Sequence, residues 1–189
     1  TENTSNSNIY LIPVEGGPVR QLTTAKKGNN NPRWMPDGKS IAFVSTRDGE
    51  SQIWAIPVTG GEAKKVTTIS TDASGLVVSP DGKYFAFKSD IYPDLLNDKA
   101  NRERNEQREK SKVKAKVFTN LPYRVWDSWK DDKRSHVFIV PSSGGEPRDV
   151  TSGDYDTPPI DIGGSVDYAF SPDGKRLVSA RGIRVSFSV

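Results

Sequence analysis

Residues 36–39 read PDGK, residues 80–83 read PDGK again and residues 172–175 read it a third time, each just ahead of a short apolar run. Around these copies recur IYLIPVEGGPVRQLTT (9–24), IWAIPVTGGEAKKVTT (53–68) and VFIVPSSGGEPRDVTS (137–152). Each of the three is an apolar run, a Pro, a Gly-Gly pair and a closing Thr. From 9 to 53 is 44 residues, and from 36 to 80 is 44 again. A fixed period of this length marks a repeat architecture.

Within one period the pieces read as four short strands: RWMPDG (33–38) with its turn, SIAFVS (40–45), QIWAIPV (52–58) and AKKVT (63–67). In the first turn Pro36 presets φ, Asp37 bonds the backbone ahead of it, and Gly38 takes the positive φ that closes a hairpin. The Gly60-Gly61 pair serves the same purpose between the third and fourth strands. The second strand sets Ile41 and Phe43 on one face and Ala42 and Val44 on the other, so both faces ask for apolar cover. Four antiparallel strands repeated at this period match the blade of a β-propeller, whose sheets stack face to face around an axis. A Greek-key sandwich is the competing architecture, but it has no reason to repeat PDGK and GG at one fixed offset.

The blades can then be counted. The chain reads as a half blade (8–23), a whole blade (31–68), a second blade (74–151) and a last half blade (166–180). Three blades fall short of the four to eight that close a propeller. The expected fold is therefore all-β, an incomplete propeller of four-stranded antiparallel blades, with exposed strand edges at its ends and the character of a piece of a larger protein.

The second blade is stretched. From PDGK at 80 to Gly-Gly at 144 the chain runs 64 residues, against 24 from the PDGK at 36 to the Gly-Gly at 60, so about 40 residues enter between its second and third strands, at about 90–129. Residues 94–118 lack Gly and Pro and are rich in helix formers, which predicts one or two exposed helices. Their bases and acids alternate at i,i+3 and i,i+4 spacing without interleaved aromatics, the pattern of a solvated helix rather than a nucleic-acid arm. The run LPYRVWDSWKDDKRSHVF (121–138) differs in kind. Arg124, Trp126, Asp127, Trp129 and Arg134 mix amphipathic aromatics with charges, as ligand or interdomain surfaces do, and they are the candidate contact residues; packing of the two Trp onto the blade is the alternative.

Charge, composition and motifs exclude more than they assign. The net charge of +3 and pI near 9.0 owe much to residues 99–116 and make a nucleic-acid partner a weak inference. No apolar run approaches the roughly 20 residues of a membrane span, and TENTSNSNIYLIPV at the start shows no signal-peptide pattern. The absence of cysteine removes disulfides, thiolate metal sites and a Cys nucleophile. The compartment stays open, a periplasmic or secreted location being favoured over the cytoplasm. His136, the sole histidine, neighbours Ser135 on a strand, so the two point to opposite faces and cannot be base and nucleophile. Without an elbow, zincin or Walker motif the residues predict no catalytic group, no metal and no cofactor.

WMPDGKSIAFVS, VSPDGKYFAFKS and FSPDGKRLVSA resemble the TolB-like propeller repeat. A longer series, SDIYPD, SKVKAKVF, YRVWDSWKDDKRSHVFIVP, GGEPRDVTSGDYDTPP and GGSVDYAFSPDGK, is similar in order to the propeller domain of bacterial prolyl oligopeptidase-family serine peptidases. Its nearest likeness is the dipeptidyl peptidase V and acylaminoacyl peptidase branch. The resemblance implies a parent enzyme in which a propeller limits peptide substrates by size and contacts a C-terminal α/β-hydrolase domain bearing the catalytic Ser, Asp and His. It implies no nucleic-acid or membrane partner. None of those catalytic residues is present here, so the expected role is non-catalytic; the chain also departs from the family pattern in opening part-way through a blade and in its tail, RGIRVSFSV. A TolB-like binding scaffold without a hydrolase domain is the alternative.

Overall fold

The structure, a computed structural model, describes residues 6–95, 97–113, 115, 124–125, 128–129, 132–159 and 166–182, with residues 124–125 and 128–129 described in the backbone alone. Strands β1 (Tyr10–Leu11) and β2 (Arg20–Gln21) pair as a two-stranded sheet. Next come β3 (Asn29–Trp34), β4 (Ser40–Ser45), β5 (Gln52–Pro57) and β6 (Lys64–Lys65), an antiparallel sheet in sequence order. A second four-stranded sheet is built from β7 (Ser74–Val78) and β8 (Tyr84–Ile91). The insertion follows, with helix α1 (Asp98–Lys110) and a short hairpin of β9 (Arg124–Val125) and β10 (Ser128–Trp129). The sheet is then completed by β11 (Arg134–Pro141) and β12 (Arg148–Asp149). Last, β13 (Tyr168–Phe170) pairs with β14 (Leu177–Ser179).

Three cores lie between successive sheets, and the alternation of side chains along the strands decides which residue enters which. Ile41 and Phe43 of β4 join Ile9, Leu22 and Ile56 on the side of the first half sheet. Ala42 and Val44, pointing the other way, pack with Leu76, Phe85, Phe87 and Phe138 of the next sheet. On β8 and β11 the pattern repeats: Ala86 and Val137 turn from that core toward Tyr168 of the last half sheet. Phe87 and Phe138 are directly paired in register and stack with ring centroids 5.6 Å apart. Each buried side chain of this size contributes about 1.5–3 kcal/mol. Sheets covered on both faces by neighbouring sheets are the stacking of propeller blades, here as part of a propeller.

The repeated PDGK forms the turn for which its residues are suited. The N–H of Gly38, Gly82 and Gly174 bonds back to the carbonyl of Met35, Ser79 and Ser171, and all three glycines have positive φ, between +65° and +71°. Asp37, Asp81 and Asp173 each accept the N–H two residues on, from Lys39, Lys83 and Lys175. Ser79 and Ser171 add a second lock, donating to the Asp and accepting from the N–H of Tyr84 and Arg176. These hydroxyls hold the Asp81 and Asp173 carboxyls below their ordinary pKa. The first copy has Met35 in the serine position.

Among the described residues the insertion holds one helix. Asn97 caps it, its Oδ1 accepting the Ala100 N–H at 2.9 Å, with Asp98 in the first turn and Arg108 and Lys110 in the last. At its end Ser111 leaves helical geometry (ψ 131°) while its N–H still bonds the Gln107 carbonyl.

Candidate functional site

In an antiparallel four-stranded meander, the turns joining strands one to two and three to four lie at one end, and all other connections at the opposite end. The PDGK and Gly-Gly turns therefore share one rim. The insertion shares the other with the 46–51 turn and the links at 67–73 and 151–157, and that rim carries most of the buried polar chemistry.

Helix α1 has no apolar stripe, and Asn101 is its one buried residue among those described. It docks instead through polar contacts. Asn101 Oδ1 accepts the Tyr92 N–H at 2.9 Å, and Asp98 Oδ1 accepts the Ser70 N–H at 2.7 Å and its hydroxyl at 2.8 Å. Tyr92, buried, is the anchor: the Arg104 guanidinium lies 4.3 Å from its ring centroid and Lys133 5.3 Å, while Arg108 donates to its hydroxyl at 3.0 Å. Arg104 also grips Asp94 with two contacts from one nitrogen, at 2.9 and 2.8 Å. Between α1 and the first whole sheet opens a cleft of about 640 Å³, lined by Gln52, Thr71, Asp72, Arg102, Glu106 and Lys133 among others. Charges of both signs line it, which suits a contact surface for polar, mixed-charge chains.

A second cluster forms where β11 starts. Arg134 is buried, with Nε 2.8 Å from Asp154 Oδ1, a charge contact off the hydrogen-bond axis. Ser135 donates its hydroxyl to Asp90 at 2.6 Å, and its N–H bonds Asp156 Oδ1 at 3.1 Å. His136, on the opposite face, places Nδ1 2.6 Å from Asp149 Oδ2 and Nε2 2.8 Å from the Gly153 carbonyl. Burial opposes a charge on this ring, but the hydrogen bond and charge of Asp149, the Gly153 carbonyl and the charge of Asp156 outweigh it, so its pKa is raised. Ser135 and His136 thus serve separate partners and form no nucleophile and base pair.

The closing Thr of the repeat has a role that its recurrence alone did not reveal. Thr23, Thr67 and Thr151 each accept, through Oγ1, the N–H of the first residue of the repeat's apolar run: Ile9 at 2.9 Å, Ile53 at 2.9 Å and Val137 at 2.8 Å. Just before those residues stand Asn8, Gln52 and His136. Thr23 donates to Asn8 Oδ1 and Thr67 to Gln52 Oε1. Gln52 Nε2 then bonds the Ile69 carbonyl, two residues after Thr67, as His136 Nε2 faces the Gly153 carbonyl, two residues after Thr151. The signal was present in the alignment, one position before each apolar run, but three different side chains stand there.

Of the residues singled out in sequence, Arg124 and Trp129 occupy paired positions of the β9–β10 hairpin. Arg134 opens β11 at the second cluster, whereas Trp126 and Asp127 lie outside the described residues. Among the described residues no cluster of three or more His, Asp or Glu could hold a metal ion, and no helix is long and apolar enough to cross a membrane.

The stacked four-stranded sheets with their PDGK turns define a propeller of the TolB type, and the comparison with protein families agrees: the TolB beta propeller domain family matches residues 1–115. The chain belongs to that family. Dipeptidyl-peptidase 5 of Porphyromonas gingivalis is 32% identical over 191 residues, covering 94% of this chain and 26% of its own length. The protein of the same name from Porphyromonas endodontalis is 27% identical, again over 26% of its length. The chain thus spans about a quarter of these curated relatives. Among solved structures, a TolB structure from Agrobacterium tumefaciens superposes with a TM-score of 0.57 at 20% identity, covering 94% of this chain and 51% of that one. The acylaminoacyl peptidase of Pyrococcus horikoshii gives 0.53 at 15% identity, over 84% of this chain and 22% of its own. These structural likenesses show the fold alone.

Proposed function

We propose that the chain is the non-catalytic propeller portion of a serine peptidase of the dipeptidyl or acylaminoacyl type. In this reading it limits which peptides reach an α/β-hydrolase domain of the parent chain, and it meets that domain or the entering peptide through the insertion-bearing rim. The observation that carries the reading is the 32% identity to dipeptidyl-peptidase 5 over 94% of the chain, a span that takes in the insertion as well as the repeats. A rim rich in polar contacts and mixed charges supports the choice of surface. Arg124, Trp126, Asp127, Trp129 and Arg134 are the residues proposed to contact the hydrolase domain or the peptide.

The second reading, a TolB-like binding scaffold with no hydrolase domain, draws on the family match over residues 1–115 and on the superposition with TolB. Translation of the gene beyond residue 189 followed by expression of the full parent separates the two. The peptidase reading expects a G-x-S-x-G elbow and covalent labelling of the parent by a fluorophosphonate, with no labelling of the 189-residue chain. A parent that continues with PDGK repeats to its end and takes no label establishes the scaffold instead.

A further inference from the structure

His136 stands where the preceding whole repeat has Gln52, and the exchange is chemically unequal. Gln52 offers its neighbours an acceptor oxygen, which takes the hydroxyl of Thr67 and the N–H of Ile69, and a donor nitrogen for the Ile69 carbonyl. None of these groups titrates. His136, fully buried, has an acceptor at each ring nitrogen: a carboxylate oxygen of Asp149 on β12 and the carbonyl of Gly153 in the 151–157 link. A neutral imidazole carries one N–H and can satisfy only one of them; the imidazolium satisfies both.

We infer that His136 is a pH-sensitive clasp, which as a doubly protonated cation ties β11 to β12 and to the 151–157 link and on losing a proton gives up one of those two bonds, loosening a link that Ser135 still holds through the Asp156 carboxylate and the Thr157 N–H. The groups that face it support the charged form. Asp149 contacts it directly and Asp156 acts at longer range, and the Tyr155 ring lies 6.3 Å away from the link side. Arg134, on the same strand, is committed to Asp154. On β8 the residue paired with His136 is Ser89, bonded to Thr71, while Asp90 holds Ser135 and Lys88 belongs with Asp90 to the alternate face. Asp149 is itself fixed by the Thr151 N–H at 2.8 Å, so the carboxylate is positioned before the ring arrives.

The link that the clasp holds is also the seat of the segment after β14. The Asp156 carbonyl accepts the Gly182 N–H at 2.9 Å, and the Arg181 guanidinium lies 3.4 Å from the Tyr155 ring centroid. Protonation of one side chain therefore bears on how the last half blade is fastened to the second whole one. The sign follows from the raised pKa: stabilisation is complete below the unfolded value near 6.5 and is lost as pH rises through the higher folded value.

Because the chain has a single histidine, a version without a histidine tag reports on it without assignment. The imidazole Cε1–H resonance of the folded 189-residue chain is followed between about pH 5 and pH 9, alongside thermal unfolding and hydrogen exchange of the 151–157 peptide corrected for intrinsic rates. The expected result is one titration centred above 6.5, with Tm and protection of the link falling over the same interval. His136→Gln, which copies the Gln52 arrangement, is expected to keep the low-pH Tm and remove the step, and Asp149→Asn to move the histidine midpoint down. A midpoint at or below 6.5, or an equal step in His136→Gln, overturns the inference. Should His136→Gln fail to fold, the titration of the unaltered chain decides alone.

Discussion

Tyr168 on β13 reaches across to β7 and donates its hydroxyl to the carbonyl of Gly75, joining two sheets through residues 93 positions apart. Gly75 has φ +62°, and a Cβ placed there meets the Tyr168 hydroxyl at 2.6 Å. Burial keeps the hydroxyl's pKa above its ordinary value, so it remains a donor into the alkaline range. Gly75→Ala is expected to cost about 1–2 kcal/mol for the left-handed backbone, and more for displacing the tyrosine. Tyr168→Phe removes the atom that the new methyl strikes. In a double-mutant cycle followed by denaturant unfolding, the pair is expected to cost clearly less than the sum of the singles. Additive costs defeat the assignment of this contact.

The Thr clasp of the first whole repeat gives a second expectation. Thr67 is fully buried, accepting from Ile53 and donating to Gln52. Thr67→Val keeps the shape and strands a buried N–H, for an expected loss of about 1–3 kcal/mol, whereas Thr67→Ser keeps the hydroxyl and most of the stability. Urea unfolding with an unchanged m-value checks it. Equal midpoints for the two variants contradict the role given to the hydroxyl.

The repeat was legible because sheets covered on both faces impose a regular demand. The 44-residue step located the turns, and the two-faced apolarity of Ile41, Ala42, Phe43 and Val44 anticipated two separate cores. What escaped was written in interactions rather than residue types. Asn8, Gln52 and His136 perform related tasks with different side chains, so their equivalence emerges only from their partners. The bond from Tyr168 to Gly75 spans two repeats and leaves no local pattern. Helix α1 was legible as a polar helix, but Tyr92 as its anchor was not, because cation stacking on one ring draws on residues scattered from 92 to 133.

Since α1 docks without an apolar face, its attachment is expected to be the weakest part of the described structure. Asn101→Ala removes the acceptor for the Tyr92 N–H and the donor to the Asn97 carbonyl. Native-state hydrogen exchange is expected to show α1 losing protection while β4, β5, β8 and β11 retain theirs. Uniform loss across the sheets contradicts this and makes the helix part of the cooperative core.

Tyr10 of β1 at 49% exposure, Ile12 just after that strand at 67% and Val178 of β14 at 68% are exposed apolar residues. Short strands with apolar faces open to water favour association. The 189-residue chain is expected to show a concentration-dependent mass by light scattering, reduced by Ile12→Lys together with Val178→Lys. A mass that stays monomeric over the same range removes the expectation.

The contact residues require the full parent, because their proposed role lies between this chain and what it meets. Arg134 is the member whose surroundings are described: buried beside Asp154, it supports the β11 start, so Arg134→Ala is expected to lower Tm through lost packing and lost charge contact. Trp126→Ala with Trp129→Ala is expected to behave differently, changing kcat or KM for peptide substrates while Tm moves little, because an anchor at an interface or passage acts on the bound state more than on the fold. The comparison is informative in both directions. Unchanged kinetics with a lowered Tm make the two tryptophans packing residues of the insertion and move the proposed contact to the cleft beside α1. Altered kinetics at constant Tm place the 124–134 segment against the peptide or its hydrolase domain, and a larger effect on long than on short peptides assigns it to the passage.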